Sequence, residues 1–83
     1  MELTIKLNFI TDINAFVGAC TTVFEEEIYV KQGRQVINAK SLLGMYSLDW
    51  AKPVTVEIVT DNENVKDNFY KYVKEWEIKD DKC

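Results

Sequence analysis

Apolar and polar residues alternate strictly at the start of the chain, with Leu3, Ile5, Leu7 and Phe9 on one side and Thr4, Lys6 and Asn8 on the other. This period of two predicts a half-buried strand over residues 2–9. The period then changes. Ile13, Phe16, Val17, Cys20, Val23 and Phe24 recur at spacings of three and four after Thr11 and Asp12, which predicts an amphipathic helix over residues 12–24. Gly18 within that helix is expected to let a neighbouring element approach closely. Ile28–Lys31 and Arg34–Ile37 are β-rich runs around Gln32-Gly33, a hairpin signal.

Ser41–Leu48 reads as a short second helix. Pro53 ends any helical continuation and opens a strand over residues 54–59, with Val54, Val56 and Ile58 on one face. The stretch from Thr60 to Asn64 offers several N-cap residues, and Val65, Phe69, Tyr72, Val73 and Trp76 predict a last helix over about residues 63–77. The polar tail 79–83 is expected to fray. The order is βαββαβα in a single domain spanning residues 1–83. Its natural solution is an α+β open-faced sandwich, a four-stranded antiparallel sheet with three helices on one face and water on the other.

Composition narrows the function classes. At 83 residues the chain encloses one core, and 47% hydrophobic and 12% aromatic residues argue against disorder. Ten basic and 14 acidic residues give a net charge of −4, which disfavours nucleic acid as a partner. No run approaches the roughly 20 apolar residues a membrane span needs, and Met1–Leu7 has neither a basic leader nor an unbroken apolar segment, so a cytoplasmic protein is expected. Cys20, on the apolar stripe, and Cys83 are expected to be free thiols. With no histidine in the sequence there is no Ser-His or Cys-His pair, and no metal site or cofactor is expected. The glycines stand alone at 18, 33 and 44, so no phosphate-cradling loop exists. The Glu25-Glu26-Glu27 run reads as a solvated connection or the start of a strand.

The segment Val36–Leu48 is the most specific motif. Its Asn38, Lys40, Ser41, Gly44, Ser47 and Leu48 resemble the regulatory-serine segment of HPr, the histidine-containing phosphocarrier of the bacterial sugar phosphotransferase system, whose size and element order also match. In that family the phosphorylated histidine sits at the start of the first helix in a Gly-x-His-Ala-Arg-Pro type motif. The resemblance places that position within Phe9, Ile10 and Thr11, next to Asp12. None of these can form a phosphoramidate, the Arg-Pro pair is missing, and Asp12 puts negative charge where a phosphate would need positive charge. An Asp in a first helical turn instead favours the helix dipole. The resemblance thus implies the carrier's scaffold without its phosphotransfer.

Ser41 is the phosphorylation candidate, because it matches the serine that an HPr kinase phosphorylates in many relatives, and Lys40 could assist. The other reading of Ser41 is a plain N-cap. Leu42, Met45 and Leu48, spaced by three, are expected to face the core, leaving Leu43 and Tyr46 outward. In HPr relatives that helix and the start of the first form the surface for enzymes and repressors, so Lys40, Leu43 and Tyr46 are partner-docking candidates by resemblance. The expected function is a non-enzymatic regulatory or protein-docking module of the phosphotransferase system type, with an HPr kinase or a transcriptional regulator as the implied kind of partner. The alternative is a constitutive interaction domain without phosphorylation. Trp50 could cover the sheet edge or project as an anchor.

Overall fold

The computed structural model describes residues 1–78. Its strands are β1 (Glu2–Ile5), β2 (Ile28–Gln32), β3 (Gln35–Asn38) and β4 (Val54–Ile58), and its helices are α1 (Ile10–Thr22), α2 (Leu42–Tyr46) and α3 (Glu63–Val73), followed by a 3-10 turn, Lys74–Trp76. The sheet order is β1-β4-β2-β3, and every pairing is antiparallel. This is the α+β open-faced sandwich that the periodicities predict. The polar tail and Cys83 lie outside the described residues.

The register explains the two faces. Val30 sits between Val56 and Ile37, and Val56 also pairs with Leu3, so one row across the sheet is apolar on its helix-facing side. Ile5, Ile28, Val30, Val54, Val56 and Ile58 are buried there, and Phe16, Val17 and Cys20 of α1, Met45 of α2, and Phe69 and Val73 of α3 close over them. Two rings organise this layer. Phe24 packs edge-on against Phe69 at 5.6 Å and Tyr72 at 5.8 Å, and Phe16 meets Trp76 edge-on at 6.3 Å. Edge-to-face contacts of this kind add to what area burial gives. The opposite face is polar. Lys31 on β2 reaches Glu57 at 2.8 Å and Glu2 at 3.1 Å, and this hydrogen bonding holds the Glu57 carboxyl below its ordinary range. Tyr29 donates to Glu27 beside them.

Several expected boundaries move, each for a physical reason. Strand β1 stops at Ile5; Leu7 stays buried, but Phe9 leaves the apolar face because the chain turns there to start α1. That helix begins at Ile10 rather than residue 12, with Phe9 at the N-cap in extended conformation and no side-chain cap. It ends at Thr22, so Phe24 is buried from the connection and Val23 is partly exposed. A Cβ on Gly18 would meet nothing within 4 Å, so the expected close approach is not there. The hairpin turn is Gly33-Arg34, one residue later than expected, and Gly33 has φ 60°, as the first turn position of a type II′ hairpin requires. Helix α3 ends at Val73. After the 3-10 turn the chain becomes extended: Lys6 N–H donates to Trp76 O (2.9 Å) and Ile78 N–H to Thr4 O (2.9 Å), so this segment pairs with the outer edge of β1. That contact shields an edge otherwise open to other chains. The Asn62 side chain caps α3 by accepting from the N–H groups of Asn64 and Val65.

Close approach occurs instead at Gly44, where α2 crosses β3. A Cβ there would lie 2.7 Å from Ile37 Cγ2 and 3.2 Å from Ser41 Oγ. Alanine at this position gains about 1 kcal/mol of helix propensity. Overpacking against a β-branched, rotamerically stiff neighbour costs roughly 1–3 kcal/mol and prevails. Gly44→Ala is therefore expected to lower stability in urea unfolding, and in an Ile37→Ala background the same change becomes neutral or favourable; a loss equal in both backgrounds contradicts the contact.

Cys20 is fully packed in α1, and burial pushes its thiol up from 9.0 to about 12 against a smaller opposing effect of the Lys40 charge. The neutral thiol is the form the fold favours. This contribution is whole below pH 9 and is lost as the unfolded thiol ionises between about pH 9 and 12. Iodoacetamide at pH 8 is expected to leave Cys20 unmodified in the folded chain and to label it after denaturation, as read by peptide mapping that separates it from Cys83; rapid labelling of Cys20 in the folded chain would show that this thiol is reachable.

Candidate functional site

The start of α1 and the whole of α2 stand side by side above one end of the sheet. In Asn8-Phe9-Ile10-Thr11-Asp12 the residue at the N-cap is apolar, so it cannot accept a hydrogen bond from the first turn. The Phe9 carbonyl accepts from the Asp12 and Ile13 N–H groups (3.0 and 3.2 Å), and Asp12 supplies first-turn negative charge that suits the helix dipole. Ile13 turns into the core, while Phe9 and Ile10 point outward, 68% and 66% exposed.

Helix α2 has only five residues, too few to persist alone, and its neighbours hold it in place. Asn38 begins the turn: its side-chain oxygen accepts from Lys40 N–H (2.9 Å) and its carbonyl from Ser41 N–H (2.9 Å). Ser41 is the N-cap, with Oγ accepting from Gly44 N–H at 3.2 Å. Ser47 closes the far end by donating from Oγ to Gly44 O at 2.6 Å. Leu48 is buried. Every residue of the motif other than Lys40, whose side chain is half-buried, therefore has a visible part in shaping this turn of helix.

Further bonds fix α2 relative to its surroundings. Tyr46 OH donates to Asn14 Oδ1 of α1 at 2.6 Å, and Trp50 Nε1–H donates to Met45 O at 2.8 Å. Lys6 Nζ donates to Asn8 Oδ1 (3.0 Å) and Trp50 O (3.2 Å), joining the loop before α1 to the loop after α2. The Gln32 amide grips the Asp49 backbone from both sides, donating to its carbonyl at 2.7 Å and accepting from its N–H at 2.8 Å. Trp50 is thereby half-buried and lies against the core.

Between these elements lies an apolar groove of ≈ 430 Å³, lined by Leu7, Asn8, Phe9, Ile10, Ile13, Tyr46 and Trp50. It joins Phe9, Ile10 and Tyr46 from the sequence-derived candidates. Leu43 projects beyond it, 84% exposed, on the same turn of α2 as Tyr46, which is 45% exposed. Leu42, expected to face the core, is 40% exposed instead. It opens the helix, where a spacing of three drifts about 60° per step away from Met45 and Leu48. Ser41 is exposed at the N-terminal end of α2, beside Lys40. Thr11 and Asp12 lie in the first turn of α1 and do not line the groove. Of the groove walls, the sequence pattern marks Leu7 and Ile13 only as apolar-face positions and leaves Trp50 unplaced, and the fastening residues Lys6, Asn14 and Gln32 carry no site signal of their own.

A larger hollow of ≈ 570 Å³ lies elsewhere, between the end of α1 and the start of α3, and includes Glu25, Glu26 and Asp67. It shares no residue with the motif segment. Among the described residues no group of three or more His, Cys, Asp or Glu side chains could hold a metal ion, and no helix is long and apolar enough to cross a membrane.

Comparison with known proteins agrees with this architecture. No family model and no curated protein matches the chain by sequence. The crystal structure of HPr-C-His from Thermoanaerobacter tengcongensis matches it with a TM-score of 0.69 at 20% sequence identity, covering 90% of this chain and 92% of that one. The likeness extends over nearly the whole of both chains, and it establishes an HPr-like fold.

Proposed function

We propose that this chain is a non-enzymatic HPr-like docking module of the phosphotransferase system type that does not carry a phosphoryl group on histidine. The observation that carries this reading is the apolar groove between α1 and α2, with Phe9, Ile10, Leu43 and Tyr46 exposed around it. Large apolar side chains left in water at one rigid place mark surfaces that other proteins cover. In a carrier, the start of α1 would present an imidazole and a cation; here Phe9 and Ile10 occupy it beside Asp12, and the sequence has no histidine. The groove offers apolar contact where a carrier would offer a phosphate. By resemblance the partner is a protein of the kind HPr relatives meet, such as an HPr kinase or a transcriptional regulator, in the cytoplasm.

A regulated form of this reading rests on Ser41. Its hydroxyl is exposed at the N-cap of α2, next to Leu42 and Leu43 and following Lys40. A phosphate there would add a charge of about −1.5 to −2 at the rim of an apolar face and alter which partners dock. The constitutive form needs no such modification, with Ser41 serving as the cap alone.

Incubation with an HPr kinase and ATP followed by intact-mass analysis separates the two forms. The regulated form gains one phosphate that Ser41→Ala abolishes; an unchanged mass leaves the constitutive form. In affinity capture, Leu43→Asp and Tyr46→Asp are expected to lose partners that wild type and Ser41→Ala retain. Folded variants that keep every partner would refute the docking face.

A further inference from the structure

The docking face carries both a projecting apolar side chain and an apolar groove, and we propose that two copies of this chain associate through it around a two-fold axis. The inference builds on the reading of this face as a protein-binding surface and names a second copy as its occupant. Shape is the first argument. Leu43 projects from α2 as the most exposed large apolar side chain of the described residues, and the groove walled by Leu7, Phe9, Ile13 and Trp50 opens beside Tyr46 on the same turn of helix. A knob and a hole on one face suit an isologous contact, in which Leu43 of each copy enters the groove of the other.

Area is the second argument. Phe9, Ile10, Leu42, Leu43 and Tyr46 are 68%, 66%, 40%, 84% and 45% exposed. Together they present on the order of 600 Å² of surface, the upper end of what a soluble monomer leaves in one patch. Two such faces in contact remove roughly 1,200 Å² from water, the lower bound of a specific interface. A contact of that size gives a reversible dimer rather than a permanent one.

Charge is the third. The five residues are one Phe, one Ile, two Leu and one Tyr, with no carboxylate, ammonium or guanidinium among them, so the centre of the contact desolvates no ion. The net charge of −4 on each copy acts only as a diffuse repulsion, which salt screens. Association is therefore expected to strengthen as salt is added.

Sedimentation equilibrium of the full chain, with a reductant present, from about 10 µM to about 1 mM tests the proposal. The mass is expected to rise from 9.7 kDa toward twice that value over this range. Leu43→Asp and Ile10→Asp, each checked for unchanged thermal unfolding, are expected to weaken association about tenfold or more. Val36→Asp, at a site 60% exposed on β3, leaves it intact. A chain that stays monomeric throughout overturns the proposal, and so does a dimer indifferent to both groove-face variants. Neither result touches the docking reading, which fails only if partner capture survives Leu43→Asp and Tyr46→Asp.

Discussion

The whole molecule depends on covering one side of a four-stranded sheet. Alternation along β1, β2 and β4 gathers Ile5, Ile28, Val30, Val54, Val56 and Ile58 on one face, and a chain of 83 residues has just enough remaining length to lay helices across it. Helices α1 and α3 do most of the covering, through Phe16 and Phe69, and truncating either ring would cost about 3–5 kcal/mol by the usual measure of core aromatics. Helix α2, with five residues, contributes Met45 and little else to the core. It is held from outside, by Asn38, Trp50, Asn14 through Tyr46, and by the close approach of Gly44 to Ile37.

That division of labour places the candidate site. Helices that bury a broad apolar stripe have little freedom in what they expose. A single turn pinned by hydrogen bonds can hold Leu43 and Tyr46 in water at small cost, because its own stability does not come from burying them. The same holds at the start of α1, where the uncapped N-terminus lets Phe9 and Ile10 face out while Ile13 secures the helix one turn later. The groove therefore lies between two element ends, walled on the inside by the core residues Leu7 and Ile13 and fastened by Lys6, Gln32 and Trp50.

Much of this was legible in the chain because hydrophobic period is a direct record of burial. The four strands, the three helices and the outward positions of Leu43 and Tyr46 follow from spacing, and the cap region around Asn62 and the hairpin glycine follow from cap and turn residue types. Where spacing misled, a local event had intervened. Phe9 continues the alternation of Leu3, Ile5 and Leu7 in the sequence, yet the backbone turns before it and sends it to the surface. Leu42 shares a spacing of three with Met45 and Leu48, but at the first position of so short a helix that rotation carries it off the core. Trp76 keeps helical phase although the helix has ended at Val73, since its ring packs on Phe16 from the 3-10 turn. The pairings that fasten the groove were not legible at all, because a Gln side chain reading the backbone 17 residues away leaves no trace in local pattern.

The pairing of the segment after α3 with the edge of β1 has a mechanical consequence. This segment runs antiparallel to β1, with Ile78 against Thr4 and Trp76 against Lys6, so residues 1 and 78 leave the sheet at the same end. Tension applied between them peels the two hydrogen bonds apart in succession instead of shearing them together. The structure thus yields first where residues 76–78 pair with β1, at low force, while the core and the groove face stay folded.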